Sequence, residues 1–214
     1  MMTQTHSLIA ATLLASPERS VRQNSAILFG SLVPDLAIYA LYFWSKFKDI
    51  PEQTLWQEIY FTEPMLTITA IGNSFPLYVS LLLICICIIV VQNKHTQLHS
   101  NSASNKTHYW SAITSSAMAL FTLAAITHLL GDFPVHAQDA HPHFWPISDW
   151  RFESPVSYWD HNHHGQAFSV IEAVFGITLS VILFRRFKSL MLRALTALAV
   201  ISYIAVPVYF SLML

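Results

Sequence analysis

The sequence carries very little charge for its length. Only 11% of its 214 residues are Asp, Glu, Lys or Arg, whereas 54% are apolar or aromatic. Soluble globular domains ordinarily have charges on about 25% of their residues. The few charges nearly cancel, to a formal net charge of −1, and they form no basic patch. The composition therefore argues against a soluble domain and against a nucleic-acid partner.

Cysteine is scarce, and the alternation of polar and apolar residues that marks strands is missing. Cys85 and Cys87 are the two cysteines, and on a helix a spacing of two residues directs side chains to different sides. We therefore expect neither a disulfide between them nor a soft-metal site built from this pair alone. Without strand-like alternation, the apolar segments predict an all-α protein.

Long apolar runs are abundant instead. Five are long enough to cross a bilayer as helices, which takes about 20 residues each. They predict a polytopic membrane helix bundle, with about five transmembrane helices in one domain over 1–214. The first sixteen residues contain a short apolar run, but no Lys or Arg stands before that run as in a signal peptide, so we expect a short helix that does not span. The five predicted spans are Asn24–Ser45, Ile68–Val91, Ser111–Gly131, Gln166–Phe184 and Arg193–Leu214.

Basic residues concentrate in three of the predicted connections, which orients the bundle. Cationic connections favour the cytoplasmic face, so the long connection over 132–165 is expected at the outer face. Its many aromatic residues favour the headgroup layer and predict a cap over the helix ends. The polar segment 92–108 is typical of a flexible, solvated loop. The cytoplasmic cations are Arg19, Arg22, Lys94, Lys106, Arg185, Arg186, Lys188 and Arg193.

Histidine and aspartate are concentrated at this cap. Seven of the eleven histidines and four of the six aspartates lie between His128 and His164. His128 and Asp132 are four residues apart, so on a helix both lie on one face, close enough to share an ion. Imidazole and carboxylate together suit Zn²⁺, Mn²⁺ or Fe²⁺. Taken alone, this spacing fits a hydrogen-bonded pair without metal equally well.

Two more polar residues, Asp35 and His6, are expected at about the same depth in the bundle as His128. Asp35 interrupts the first span directly after Pro34, and an ionisable residue inside a membrane helix indicates a functional site. If the chain turns back near residue 20 as an antiparallel hairpin, His6 and Asp35 come level, and His128 lies within one or two helical turns of them. If the first helix lies flat on the cytoplasmic face instead, His6 is not part of the site.

The cap provides the remaining candidate ligands and proton acceptors. A folded cap can present any of its histidines, so spacing does not choose among them. We expect one or more of His136, His141 and His164 to complete the metal site. Further members of the same set are His143, His161 and His163. The candidate catalytic residues are three carboxylates, Asp139, Asp160 and Glu172.

Four sequence segments stand out together: Thr5-His6, "GSLVPD" at 30–35, "HLLGDFPVH" at 128–136 and "DAHPHFWPISDWRFESPVSYWDHNHHG" at 139–165. In these segments the sequence resembles the YdjM-like family of bacterial inner-membrane metal-dependent hydrolases. The resemblance implies a helical, multi-pass protein of the bacterial inner membrane with a His/Asp metal centre and hydrolase activity. The positions that match the polar residues of the family are His6, Asp35, His128 and Asp132.

The sequence departs from this family at two places. Many members have a second acid shortly after Pro-Asp, whereas "PDLA" at 34–37 has none. Members also tend to have His-Arg-Gly followed by Thr-His near the fourth span, whereas "HHGQAFS" stands here at 163–169.

Together, these features predict a membrane-embedded hydrolase that uses a divalent ion, with Zn²⁺ as the first choice, to activate water. A site at the outer headgroup layer suits a lipid or lipid-linked phosphoester. One alternative is a non-enzymatic metal-binding membrane protein such as a sensor, chaperone or transport component, although the almost wholly apolar inner halves of the spans argue against a conduit. Another is a cap that stabilises the fold or docks a partner without metal.

Overall fold

The computed structural model describes residues 1–99 and 107–213, and within them all regular structure is helical, as the sequence predicts. Short 3-10 helices occur at Val33–Asp35, Ile59–Phe61 and His161–His163. The α-helices are α1 (Thr3–Leu14), α2 (Val21–Leu32), α3 (Leu36–Phe47), α4 (Glu52–Gln57), α5 (Glu63–Gly72), α6 (Phe75–His99), α7 (Thr107–Ser115), α8 (Ala117–Asp132), α9 (Gly165–Arg186) and α10 (Leu190–Met213).

Three helical stretches are long and apolar enough to cross a membrane, namely Val21–Phe47, Glu63–Lys94 and Gly165–Arg186. The first combines α2, a 3-10 helix and α3, and the second combines α5 with most of α6. Shorter apolar stretches cover Ala117–Asp132 in α8 and Leu190–Val206 in α10. Of the five predicted spans, three thus correspond to helical stretches able to cross a membrane, and the count of about five stays a prediction.

The first of these helical stretches is interrupted at Pro34. Because proline has no N–H to continue the helical hydrogen bonds, α2 ends at Leu32 and the 3-10 helix Val33–Asp35 leads into α3. The side-chain amide of Asn73 lies 3.5 Å from the Pro34 carbonyl oxygen. The interruption turns the Asp35 side chain towards α1 and α8, whose Thr3 and His128 it contacts.

Helix α1 folds back along α2 as an antiparallel hairpin. The hydroxyl oxygens of Ser7 and Ser31 lie 3.0 Å apart at one end, and the backbone N–H of Ser16 donates to Asn24 Oδ1 at 3.3 Å near the turn. Helix α1 also packs against α8 and α9. It therefore lies inside the bundle, with His6 buried, rather than flat on one face of it.

Helices α2 and α8 make the closest helix pair near the site. A β-carbon added at Gly30 would lie 2.1 Å from the carbonyl oxygen of Phe121, so only glycine permits this approach. Ile27, Leu120 and Ala124 pack around it and are completely or almost completely buried. The close contact brings the C-terminal turns of α2 within hydrogen-bonding distance of the α8 side chains.

The connection between α8 and α9 folds as a largely irregular cap (133–164) over one end of the bundle. The Ser154 N–H donates to the His136 carbonyl at 2.8 Å, and the Tyr158 N–H donates to the Val135 carbonyl at 3.1 Å. At the start of α6, the Phe75 N–H donates to the His143 carbonyl at 2.8 Å. These backbone bonds fix the cap to itself and to α6, so its histidines have defined positions.

The flexible loop predicted over 92–108 lies between α6 and α7. Residues 92–99 continue α6, and Thr107 begins α7, so the helices extend further into this segment than the sequence predicts. Straight-chain Gln and Lys residues are good helix formers, which favours this extension despite the polar composition. Residues 100–106 lie outside the described part of the chain.

We predict that Gly30→Val separates α2 from α8 and destabilises the protein by about 1–3 kcal/mol, because the added methyl groups overlap the Phe121 carbonyl. Thermal unfolding in detergent should show a lower Tm. Leu28→Ala on the same helix is the control, since Leu28 is 41% exposed and its loss should change the Tm little. A Gly30→Val protein with the native Tm would contradict this account of the helix contact.

Candidate metal centre

Three distant parts of the sequence meet in one buried cluster, to which they contribute His6, Asp35 and the pair His128 and Asp132. The Asp132 Oδ1 atom lies 2.9 Å from His6 Nε2, and the Asp132 Oδ2 atom lies 3.1 Å from His128 Nε2. The His128 Nε2 atom also lies 3.4 Å from Asp35 Oδ1. None of the four residues is more than 8% exposed. The hairpin, the break at Pro34 and the last turn of α8 together bring these side chains to one point.

The two imidazoles of this cluster lie face to face. The rings of His6 and His128 stack with their centroids 3.6 Å apart and their planes 15° apart. Gly131 allows this arrangement, because a β-carbon there would lie 3.0 Å from the His6 ring atoms Cε1 and Nδ1. Both rings thereby present Nε2 to the same carboxylate.

A second set of donors extends the cluster into the cap. The His136 Nε2 atom lies 3.2 Å from Asp132 Oδ1, and the ring centroids of His136 and His141 are 5.2 Å apart. Two groups of three donors result, and within each group the ligating atoms lie within 4.8 Å of one another. One group is His6, His128 and Asp132, and the other is Asp132, His136 and His141.

Hydrogen bonds to Nδ1 define which imidazole nitrogens face the carboxylate of Asp132. The Nδ1 atom of His128 lies 2.7 Å from the Ser31 carbonyl, which can only accept, so Nδ1 carries the proton and donates. The Nδ1 atom of His136 likewise donates to Asp139 Oδ2 at 2.9 Å. In a neutral imidazole the other nitrogen, Nε2, then carries a lone pair. A lone pair facing a carboxylate is repulsive unless a proton or a metal ion lies between them.

The buried carboxylates lack the usual cationic partners. Among the described residues, no Lys or Arg side chain forms an ion pair with Asp35, Asp132 or Asp139, and their partners are imidazoles and the amino group of Met1, 2.8 Å from Asp132 Oδ1. Burying a charge is costly unless it is paired or coordinates a metal. A divalent ion among these donors satisfies both the carboxylates and the imidazole lone pairs.

The donor separations fit a shared ion. Nitrogen and oxygen ligands lie about 2.1 Å from Zn²⁺, so two ligands of one tetrahedral ion are about 3.4 Å apart. The three Nε2-to-oxygen distances to Asp132 are 2.9, 3.1 and 3.2 Å, and the distance to Asp35 is 3.4 Å. A small expansion of the three contacts to Asp132 accommodates the ion. Imidazole and carboxylate donors suit Zn²⁺, Mn²⁺ and Fe²⁺ alike.

The protonation of the cap residues also suits metal binding. Burial lowers the pKa of the His141 imidazole to about 3, so this ring is neutral at physiological pH and offers a lone pair. Burial alone would raise the pKa of Asp139, but the hydrogen bond and charge of His136 lower it to about 2. Asp139 is therefore ionised and holds the His136 ring in the orientation that a metal ligand needs.

The other predicted ligands lie at different places. His164 is exposed and precedes α9 with a φ of 63°, and it belongs to neither group of donors. His143 is buried and donates from Nδ1 to the Asn73 carbonyl at 2.9 Å. His161 is exposed, and His163 donates from Nδ1 to Asp160 Oδ2 at 2.7 Å. The cap thus brings His136 and His141 to Asp132 and leaves the histidines next to α9 outside both groups.

The three candidate proton acceptors have different surroundings. Asp160 accepts hydrogen bonds from the Asn162 N–H at 2.9 Å and from His163, so it caps a 3-10 helix. Glu172 is 2% exposed, accepts the Met2 N–H at 2.7 Å with Oε1, and has no hydrogen-bond partner on Oε2 among the described residues. Asp139 Oδ1 is also without such a partner. Glu172 and Asp139 therefore each keep one free buried oxygen.

Several supporting residues could not be recognised from the sequence. Ser31 contributes only its backbone carbonyl, and Asn73 contributes the same to His143. Thr3 Oγ1 donates to Asp35 Oδ2, and Trp159 Nε1 donates to Asp139 Oδ2 at 2.9 Å. A carbonyl is present at every position, so it gives no signal in the residue letters. Of these supporting residues, Ser31 alone lies in a segment that stands out in the sequence, "GSLVPD", four residues before Asp35.

Comparison with protein-family models, curated proteins and solved structures gives no match for this chain. The resemblance to the YdjM-like family therefore stays a prediction. What the structure establishes is a helical protein with three helices able to span a membrane and with buried His/Asp groups that can hold a metal ion.

Proposed function

We propose that this chain is a membrane-embedded metal-dependent hydrolase that acts on a lipid or lipid-linked phosphoester. The observation that carries the proposal is the convergence of three imidazole Nε2 atoms on the buried carboxylate of Asp132, without any Lys or Arg partner among the described residues. A bound divalent ion, for which Zn²⁺ is our choice, supplies a Lewis acid that lowers the pKa of a water ligand and polarises the ester. The proposed ligands are His6, Asp35, His128, Asp132, His136 and His141.

The chain's own residues divide the remaining tasks. Ser31 and Asp139 hold the His128 and His136 rings through their Nδ1 atoms, which fixes Nε2 towards Asp132. Glu172, with its free buried Oε2, is the proposed proton acceptor for the attacking water. Asp139 is the less suitable proton acceptor, because its Oδ2 atom already accepts hydrogen bonds from both His136 and Trp159.

The surface of the cap supports a lipid substrate. Ile147, Trp150 and Trp159 are 81%, 54% and 51% exposed, on the segment that also contributes His136 and His141 to the site. Trp side chains favour the headgroup layer of a bilayer, so this surface suits the membrane–water boundary. A lipid reaches such a position by lateral diffusion. On the resemblance described above, we propose the outer face of the bacterial inner membrane as the location.

The burial of every proposed ligand also fits a function without catalysis. A non-enzymatic metal-binding membrane protein, such as a sensor, chaperone or transport component, needs a closed site without an open position for substrate. All six proposed ligands are at most 8% exposed, which suits that function as well. Hydrolysis distinguishes the two, because both bind metal and only the enzyme turns over a substrate.

We predict that the protein, purified in detergent, contains at least one divalent ion per chain by elemental analysis, and that Asp132→Asn removes it. This substitution keeps the shape of the side chain and removes the charge that both donor groups share. Asp149→Asn in the exposed part of the cap is the matched control and should keep its metal. Native protein without stoichiometric metal would exclude both the hydrolase and the non-enzymatic metal-binding protein.

Hydrolysis of a bacterial lipid extract, followed by mass spectrometry of the products, tests the enzymatic activity. We expect activity that chelation abolishes and that Zn²⁺ or Mn²⁺ restores. Glu172→Gln should lower the rate by about 10²–10⁴-fold, because it removes the proton acceptor, while the metal content stays unchanged. Glu63→Gln, at an exposed position, should have native activity.

Two results of this assay argue against parts of the proposal. If metal is bound but no lipid is hydrolysed, the non-enzymatic function is the better description. If Glu172→Gln hydrolyses lipid at the native rate, Glu172 is not the proton acceptor.

A further inference from the structure

We infer that the centre binds two divalent ions at once and that the carboxylate of Asp132 bridges them. The inference rests on the metal site of the proposed function and goes beyond it in the number of ions and in the role of Asp132. One ion belongs to the helix group, defined as His6, His128 and Asp132, with Asp35 beside it. The other belongs to the cap group, defined as Asp132, His136 and His141.

The number of donors is the first argument. A four-coordinate Zn²⁺ site takes at most four protein ligands, and a catalytic one takes three. The cluster contains six candidate ligands. Five of them form two compact groups that have only Asp132 in common, and the sixth, Asp35, lies 3.4 Å from His128 Nε2. With Asp132 counted in both, each group has the three protein donors of a catalytic zinc site.

The position of the Asp132 carboxylate is the second argument. Its Oδ2 atom lies 3.1 Å from His128 Nε2, and its Oδ1 atom lies 3.2 Å from His136 Nε2. The Oδ1 atom also lies 2.9 Å from His6 Nε2 of the helix group, so this one carboxylate contacts imidazoles of both groups. A carboxylate has about four lone-pair sites, so Asp132 can bind an ion on each side.

Independent support for each group is the third argument. In the helix group, the Ser31 carbonyl holds Nδ1 of His128. In the cap group, Asp139 holds Nδ1 of His136, and Trp159 donates to the same oxygen of Asp139. A ligating histidine usually has such a partner on its other nitrogen. Each group thus has its own oriented imidazole, one fixed by α2 and one fixed within the cap.

Two ions also narrow the class of substrate. Paired divalent ions are typical of phosphatases and nucleases, where they contact both the attacking and the leaving oxygen of an in-line displacement. The inference therefore favours a phosphoester over a carboxylic ester as the bond that is cleaved.

Manganese binding to the full chain tests the inference. The protein is freed of metal with a chelator in detergent and reloaded with Mn²⁺ alone, and bound Mn²⁺ per chain is counted and examined by electron paramagnetic resonance. We expect two Mn²⁺ per native chain with an exchange-coupled spectrum. His6→Gln and His141→Gln should each retain one Mn²⁺ and show the six-line spectrum of an isolated ion. His161→Gln, at an exposed cap position, is the matched control and should retain two coupled ions.

Other outcomes overturn the inference in distinguishable ways. One Mn²⁺ per native chain excludes the second ion and leaves the proposed hydrolase intact, whereas no bound Mn²⁺ removes both. Two ions without coupling exclude Asp132 as the bridge. If His6→Gln and His141→Gln both lose all Mn²⁺ although each elutes as a folded species with a native-like Tm, the six donors serve a single ion. His136→Gln replaces His141→Gln if that variant does not fold.

Discussion

The buried carboxylate of Asp132 is the group on which the rest of this site depends. It lies at the end of α8, is 2% exposed, and contacts imidazoles from α1, from its own helix and from the cap. A charge in that position is tolerated only when cations or hydrogen-bond donors surround it. Three separate parts of the chain therefore have to meet at Asp132, and their meeting determines the architecture of this end of the bundle.

The helices reach Asp132 because the sequence permits unusually close backbone contacts at a few positions. Gly30 brings α2 against the carbonyl of Phe121, and Gly131 leaves room for the His6 ring above α8. Pro34 ends α2 and lets the chain turn, so that Asp35 faces the inside of the bundle. These features are small in volume, but each removes a steric obstacle between groups that must come within hydrogen-bonding distance.

The cap joins the surface of the protein to its buried centre. Trp159 is 51% exposed, yet its indole N–H donates to Asp139, which accepts from His136, whose Nε2 faces Asp132. One continuous series of hydrogen bonds and close contacts thus runs from an aromatic surface to the central carboxylate. This connection links the exposed aromatic surface to the candidate metal ligands within one segment, 133–164.

The long apolar runs determined the helical class and the three stretches that can cross a membrane, and a spacing of four residues determined the pairing of His128 with Asp132. A helical rise of about 1.5 Å per residue with about 3.6 residues per turn puts such a pair on one face wherever the chain is helical. The level of His6 with Asp35 required in addition the hairpin of α1 and α2, which the tertiary structure decided. Only the tertiary structure decided that His136 and His141 join Asp132 while His164 does not. The cap has no repeating geometry, so the direction of each of its side chains depends on long-range backbone hydrogen bonds that no local spacing encodes.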